Sequence, residues 1–301
     1  MQNDGTFQQT YTIKYDVGTK GDFYTYDMID NIIENHDGSL DINPRPKYKD
    51  GTPAHTFSIN HVFHTYNIAK GDSPFVTLRP IAIKSAIGEI LWIYQDMSND
   101  LDLLKEKYNV TWWDDWDIGD RTIGCCYGET VRRHNLINNL LDGLKEDPDG
   151  RRHIMELWQV EDFKNKHGLK PCCHKTNFNV RHYQDEDYLD MLLDIRSSDY
   201  LTALTINEMQ YLVLLHLVAR HCGYKVGKFS VVIANAQIYD RHIKNAKIMA
   251  DRFPVSCSPK IWLNPDKTDF FSFTMDDIEV MDIPLQLIRE RNPQLKFELG
   301  I

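Results

Sequence analysis

The segment NEMQYLVLLHLVARHCG, residues 207–223, constrains the fold more than any other. It is the most hydrophobic helical stretch of the chain, and Gly223 after it supplies the residue type that commonly closes a helix. A helix this apolar is a core element, and it needs other elements around it. The chain has 301 residues, 42% of them hydrophobic, so a sizeable core is within reach. No window approaches 18 consecutive apolar residues, and MQNDGTFQQT lacks the charged-then-apolar layout of a signal peptide. A cytosolic protein is expected, in a host's cytosol for a viral chain. The formal net charge of −10 argues against DNA or an anionic membrane as partner, but leaves room for a small anion held by local arginines.

Periodicity supplies the remaining elements. TYTIKYDV alternates like a short strand, GTKGD reads as a turn, and YDMIDNIIENHDG reads as a helix stopping at Asp37-Gly38. NPRPKYKDGTPAH, with three prolines, is an exposed loop, and TFSINHVFHTY alternates like a strand. AIKSAIGEILWIYQD has the apolar density of a buried helix, and TWWDDWDIGDRTIG is a loop. NLINNLLDGLKEDPDGRR is an amphipathic helix running into turn residues. HIMELWQV, NFNVRHY and YLDMLLDIRSSD read as successive strands. GKFSVVIANAQIYDRHIKNAKIMADRF reads as a strand, a turn and a helix. Runs of strands flanked by helices, without regular βαβ alternation, predict one α+β domain over 23–301, with 1–22 as an N-terminal appendage.

The cysteines are Cys125, Cys126, Cys172, Cys173, Cys222 and Cys257, which a cytosolic chain keeps reduced. No zinc-type spacing relates them, and no metal is expected. Most lone cysteines are small buried hydrophobes, but GLKPCCHKTNFNV places Cys172 and Cys173 side by side after a proline. Arg45, the pair Arg151-Arg152, and Arg196 in DIRSSD are permanently charged groups suited to phosphate oxygens. Glu89 sits inside the apolar AIGEILWIY, where burial raises a carboxyl pKa into the range useful for proton transfer.

Taken in order, DGTPAHTFS, EILWIYQ, WWDDW, GRRHIMELW, LKPCC, RSSD, TIN and QIYDRH resemble the thymidylate synthase family from about Tyr26 to Ile301. The resemblance implies that family's fold, a large mixed sheet flanked by helices and packed back to back against its twin in a homodimer. It implies that Cys172 is the nucleophile, attacking C6 of the uracil of dUMP so that C5 can take a one-carbon unit from 5,10-methylenetetrahydrofolate. Nearby arginine charge is expected to lower the thiol pKa. Cys173 is then a buried neighbour. Glu89 and Asn207 match the groups that move protons at O4, and Tyr127 belongs with them. Arg196 and Ser197 match phosphate-binding positions, Arg45 matches a mobile-loop arginine that binds the nucleotide, and Arg151 and Arg152 match a pair reaching the neighbouring subunit's nucleotide. Gln237 and Tyr239 fall at positions for the nucleotide. Asp199 matches the carboxylate that holds the pterin, and the tail ending at Ile301 resembles one that closes over the site. Asparagine at 207 favours dUMP, since aspartate would suit cytosine. Trp113 matches an aromatic that shields the transferred carbon from water, which favours methylation to dTMP with dihydrofolate as co-product.

The resemblance is uneven. Ala234, Asn235, Ala236 and Gln237 stand where a glycine-aspartate-x-histidine segment is usual, and Thr202, Ala203 and Ile206 replace a leucine, a glycine and a phenylalanine beside the folate. These departures keep a deoxyuridylate hydroxymethylase as the same-fold alternative, as in a divergent viral member. A catalytically silent nucleotide- or RNA-binding paralogue is the alternative of another class.

Overall fold

The structure, a computed structural model, describes residues 17–36, 43–163 and 169–301. The strand expected at TYTIKYDV, save Val17, and the helix stop at Asp37-Gly38 lie outside the described residues. The turn expected at GTKGD is instead a helix start. Thr19 Oγ1 accepts from the Asp22 backbone N–H at 3.0 Å, and the Thr19 N–H donates to Asp22 Oδ2 at 3.0 Å. This capping box is a signal that the sequence carried at T-x-x-D, and it outweighs the turn propensity of glycine and aspartate. Helix α1 therefore runs Lys20–Asn35, through the boundary expected at residue 22. Buried Asp22 also accepts from the Thr77 N–H and hydroxyl at 2.7 and 2.9 Å, tying the cap to the core.

Strand β1 (Thr56–Asn67) follows, then helices α2 (Ile83–Tyr94), α3 (Leu101–Tyr108), α4 (Gly128–Arg133) and α5 (Leu136–Glu146). Strands β2 (His153–Glu156), β3 (Cys173–Tyr183), β4 (Glu186–Ile195) and β5 (Ser198–Asp199) come next. A π-helical turn, Tyr200–Leu204, leads into α6 (Thr205–Cys222), and β6 (Lys225–Tyr239) precedes α7 (Ile243–Asp251). A small hairpin of β7 (Lys260–Leu263) and β8 (Ile278–Met281) and helix α8 (Leu285–Arg291) complete the chain.

Among the described residues one six-stranded sheet has the order β1-β6-β4-β3-β2, with β5 paired to β6. The β4–β6 and β5–β6 pairs are parallel and the others antiparallel, so the sheet is mixed, as the α+β reading expected. In β4 and β6 burial alternates with the pleat: Leu189, Met191, Leu193, Phe229, Val231 and Ile233 point into the core. The opposite face is partly apolar as well. Phe63 of β1, 56% exposed, lies beside Val232 of β6, and Leu192 of β4 faces the same way as its partner Ser230.

Helix α6 packs against α2 on one side and against β4 and β6 on another. With its preceding turn, Tyr200–Cys222 is long and apolar enough to cross a membrane, but 72% of its most apolar window is buried by the protein itself. Gly223 closes it in the left-handed region at φ 81°.

Candidate active site

Cys172 stands immediately before β3, and the pleat separates the two cysteines. Cys173 is buried among core residues, whereas Cys172 is only partly covered. Arg196 closes over Cys172 from the end of β4. Its Nε donates to the Pro171 carbonyl and its Nη2 to the Lys170 carbonyl, both at 2.9 Å, and Nη2 reaches Cys172 Sγ at 3.5 Å. The Arg196 N–H donates to the Cys172 carbonyl at 3.0 Å, and the guanidinium lies 5.8 Å from the centre of the Trp158 ring. The carbonyl bonds fix the guanidinium, and its Nη2 stands against the thiol.

The expected depression of the Cys172 pKa is corrected by this geometry. Burial pushes the thiol above its ordinary value, and the charges of Arg196 and Arg45 oppose that push without overturning it. Desolvation outweighs two cations that keep part of their hydration.

From Cys172 a continuous set of contacts leads to the other expected residues. The Cys172 N–H donates to Tyr127 Oη at 3.0 Å. Tyr127 is buried at φ 48°, a strained value for a tyrosine, and its ring meets that of Trp113 edge-on at 5.4 Å. Trp113 also packs on Trp116 and Trp92. Glu89, buried on α2, accepts from Trp112 Nε1 and faces Trp113 and Gln210. Burial raises the Glu89 pKa, as expected, and those three side chains oppose the rise. Gln210 then accepts from Asn207 Nδ2 at 3.0 Å on the first turns of α6. The packing of α2 on α6 thus brings Glu89 and Asn207, 118 positions apart by number, to one place.

Asp199 occupies a second, adjoining arrangement. Its carboxylate accepts from Thr202 Oγ1 at 2.5 Å and the Leu201 N–H at 3.3 Å, and His242 Nδ1 lies 3.7 Å away. Burial raises its pKa, opposed by His242, Thr202, Leu201 and Arg79. Thr202, a departure from the family pattern, is therefore a direct partner of Asp199. His242 Nε2 bonds the Glu298 carbonyl at 2.7 Å, which ties this acid to the C-terminal tail. The tail is pinned further: Ile301 and Lys47 exchange backbone hydrogen bonds at 3.0 and 2.8 Å. A Cβ on Gly300 would come within 2.8 Å of Ala54 and 2.9 Å of Tyr239, so only glycine allows this approach.

The remaining expected residues are placed as follows. Gln237 pairs with Asp199 across β5–β6, and Tyr239 is buried at the end of β6 against the rings of Tyr48 and His242. Ser197 is partly exposed beside Arg196. Arg151 and Arg152 are exposed at the turn before β2, and neither guanidinium is bonded to any group of the Cys172 cluster. Four residues of the site escaped the sequence reading: Trp112, Gln210, His242 and Arg79. Arg79 is buried and donates to the Leu201 carbonyl at 2.8 Å. Gln210 had a readable signal, three residues after Asn207 on one helix face, and His242 closes the QIYDRH motif, whereas Arg79 had none.

The family model described as thymidylate synthase matches residues 24–287. The chain belongs to the thymidylate synthase family. It is 46% identical over 286 residues to the thymidylate synthase of Streptococcus pneumoniae (strain 70585), covering 94% of this chain and 100% of the relative. The thymidylate synthase of Streptococcus gordonii is 46% identical with the same coverage. Thermostable thymidylate synthase A from Bacillus subtilis superposes with a TM-score of 0.83 at 32% identity, over 93% of this chain and 99% of that one. The family and the mixed sheet flanked by helices expected from the motifs are both borne out, and the departures at Thr202, Ala203, Ile206 and 234–237 lie within a thymidylate synthase fold.

Proposed function

We propose that this chain methylates dUMP to dTMP, taking the one-carbon unit from 5,10-methylenetetrahydrofolate and releasing dihydrofolate. The observation that carries the reading is Cys172, held partly open with the Arg196 guanidinium on its sulfur, at one end of contacts that lead to Tyr127, Trp113, Glu89 and Asn207.

Cys172 adds to C6 of the uracil, since its thiolate is the strong nucleophile of the site. Arg196, Arg45 and Ser197 hold the phosphate, whose negative charge they neutralise while keeping it beside the sulfur. Gln237 and Tyr239 bind the nucleoside. Glu89, whose carboxyl burial pushes above its ordinary range, exchanges a proton near O4 of the base. The Tyr127 hydroxyl, bonded to the Cys172 N–H, orients the nucleophile's backbone.

A folate fits the adjoining arrangement. Asp199 is a largely covered acceptor for amide-like N–H groups, and His242 Nδ1 beside it has no hydrogen-bond partner among the described residues. The folate, when bound, supplies the one-carbon unit and then a hydride. Trp113 fills space next to the acceptor carbon and keeps water from it, while the tail ending at Ile301 covers the site. Family membership and this indole favour methylation over hydroxymethylation. A cytoplasmic setting accords with six unpaired cysteines.

The chain acts as a homodimer in this reading. The partly apolar outer face of the sheet around Phe63 supports it, as do Arg151 and Arg152, which are free to reach a partner's nucleotide. Mass analysis of the product from dUMP and methylenetetrahydrofolate tests the function. The expected product is dTMP with dihydrofolate in equal amount; mainly 5-hydroxymethyl-dUMP with tetrahydrofolate overturns it.

A further inference from the structure

Asn207 can discriminate uracil from cytosine only if its amide is held one way round. Its two ends are alike in shape and opposite in polarity. In one orientation the amide offers a donor to O4 and an acceptor to N3–H of uracil. Flipped, it offers an acceptor to the amino group and a donor to N3 of cytosine. The base alone cannot prevent that flip.

Gln210 supplies the missing constraint. It lies one turn along α6 from Asn207 and is 1% exposed, so its own amide cannot turn to water. Oε1 accepts from Asn207 Nδ2 at 3.0 Å. Nε2 is buried and makes no well-aligned hydrogen bond among the described residues, but it lies close enough to Glu89, across the α2–α6 contact, to lower that carboxyl's pKa. In its deprotonated form Glu89 can only accept, so it turns Nε2 toward itself and leaves Oε1 for Asn207. Oε1 can also only accept, so Asn207 must present Nδ2 to it. Polarity is thereby passed from Glu89 through Gln210 to Asn207.

We propose that Gln210 is a positioning residue for base selectivity, locking the Asn207 amide in the orientation that reads uracil and rejects cytosine. This rests on the role proposed for Asn207, and the test separates the two.

Equilibrium binding of dUMP and dCMP to the full chain, measured by calorimetry without folate, gives the selectivity ratio directly. Gln210→Met removes the acceptor while keeping length and volume. It should lower the dUMP-to-dCMP ratio on the order of tenfold, the factor set by about 1.4 kcal/mol, within the range of one buried hydrogen bond. Gln210→Glu keeps an acceptor facing Asn207 and should retain the ratio. A merely structural role would weaken both nucleotides alike and leave the ratio unmoved. Should the methionine variant fail to fold, Gln210→Ala removes the same acceptor with less demand on packing. Asn207→Asp is the control and should invert the preference toward dCMP. An unchanged ratio in Gln210→Met or Gln210→Ala, with inversion in Asn207→Asp, overturns the lock and leaves the Asn207 reading intact. Equal loss of selectivity in Gln210→Glu also overturns it, because the acceptor would not be the cause. No inversion in Asn207→Asp overturns the base-reading role and the lock with it.

Discussion

At Cys172 two opposing effects act on one atom, and their balance makes predictions. Burial raises the thiol pKa and Arg196 lowers it, so removing the arginine should raise it further. In Arg196→Gln, the pH dependence of Cys172 alkylation by iodoacetamide should move to higher pH than in the wild type; an unmoved or downward-shifted profile would count against the charge contact. Cys172→Ala should leave no measurable turnover. Cys173→Ala should keep substantial activity at a stability cost of about 1 kcal/mol, the scale of a small core truncation. The reverse outcome would mean that the nucleophile is Cys173. Trp113→Gly should divert part of the flux to 5-hydroxymethyl-dUMP, read by mass, because the indole occupies the space that water would enter. Product that stays wholly dTMP would remove Trp113 from the water barrier.

The helices and the tail respond to charge in ways that local sequence does not reveal. Burial pushes the Asp22 carboxyl from the ordinary 3.8 up to about 6, against the bonds from Thr77 and Thr19. The folded protein therefore holds this proton more tightly than the unfolded chain does. Its stabilisation is full below about pH 4 and is lost as the pH rises through 6, a span worth about 3 kcal/mol. Asp22→Asn should flatten that part of the pH dependence in urea unfolding between pH 4 and 7; parallel curves for the two proteins would refute it. At the other end of the chain, Arg241 bonds Asp50 at 2.8 Å, Thr52 at 2.6 Å and Glu298 at 2.9 Å, and lies over the Tyr48 ring. It straps the tail to the loop that carries Arg45. Arg241→Ala should speed carboxypeptidase release of Ile301 roughly several-fold, a modest effect because exposed ion pairs are individually weak. An unchanged rate would show that the Lys47–Ile301 backbone pairing suffices.

For the whole molecule the question is whether one chain completes a site. Arg151 and Arg152 stand clear of the Cys172 cluster, and the sheet offers a partly apolar face around Phe63. Mixing inactive Cys172→Ala chains with inactive Arg152→Ala chains should restore activity, up to roughly a quarter of the wild-type level for random exchange into shared sites. No recovery under conditions shown to exchange subunits would argue for sites complete within one chain.

Much of this was legible in the sequence, for reasons that differ by residue. The helix ending at Gly223 and the alternating strands are set by local periodicity and turn chemistry, which the folded chain obeys. Cys172 was legible as the candidate nucleophile only through the family resemblance of LKPCC, and the pleat of the strand that follows is what separates it from buried Cys173. The start of α1 was misread, although its capping box was present, because glycine and aspartate were weighed as turn formers. The pKa of Cys172 was not readable at all. It depends on how much water the fold removes, and desolvation is a property of packing, not of neighbours in sequence. The same holds for Arg79 beside Asp199 and for Gln210 between Glu89 and Asn207: each acts through a group on another element, across contacts that exist only once α2, α6 and the sheet have closed on one another. The sequence by itself determined the elements, the family and the chemical groups; the tertiary structure decided which of those groups face each other and with what charge, because burial and orientation are set by the packing of distant segments.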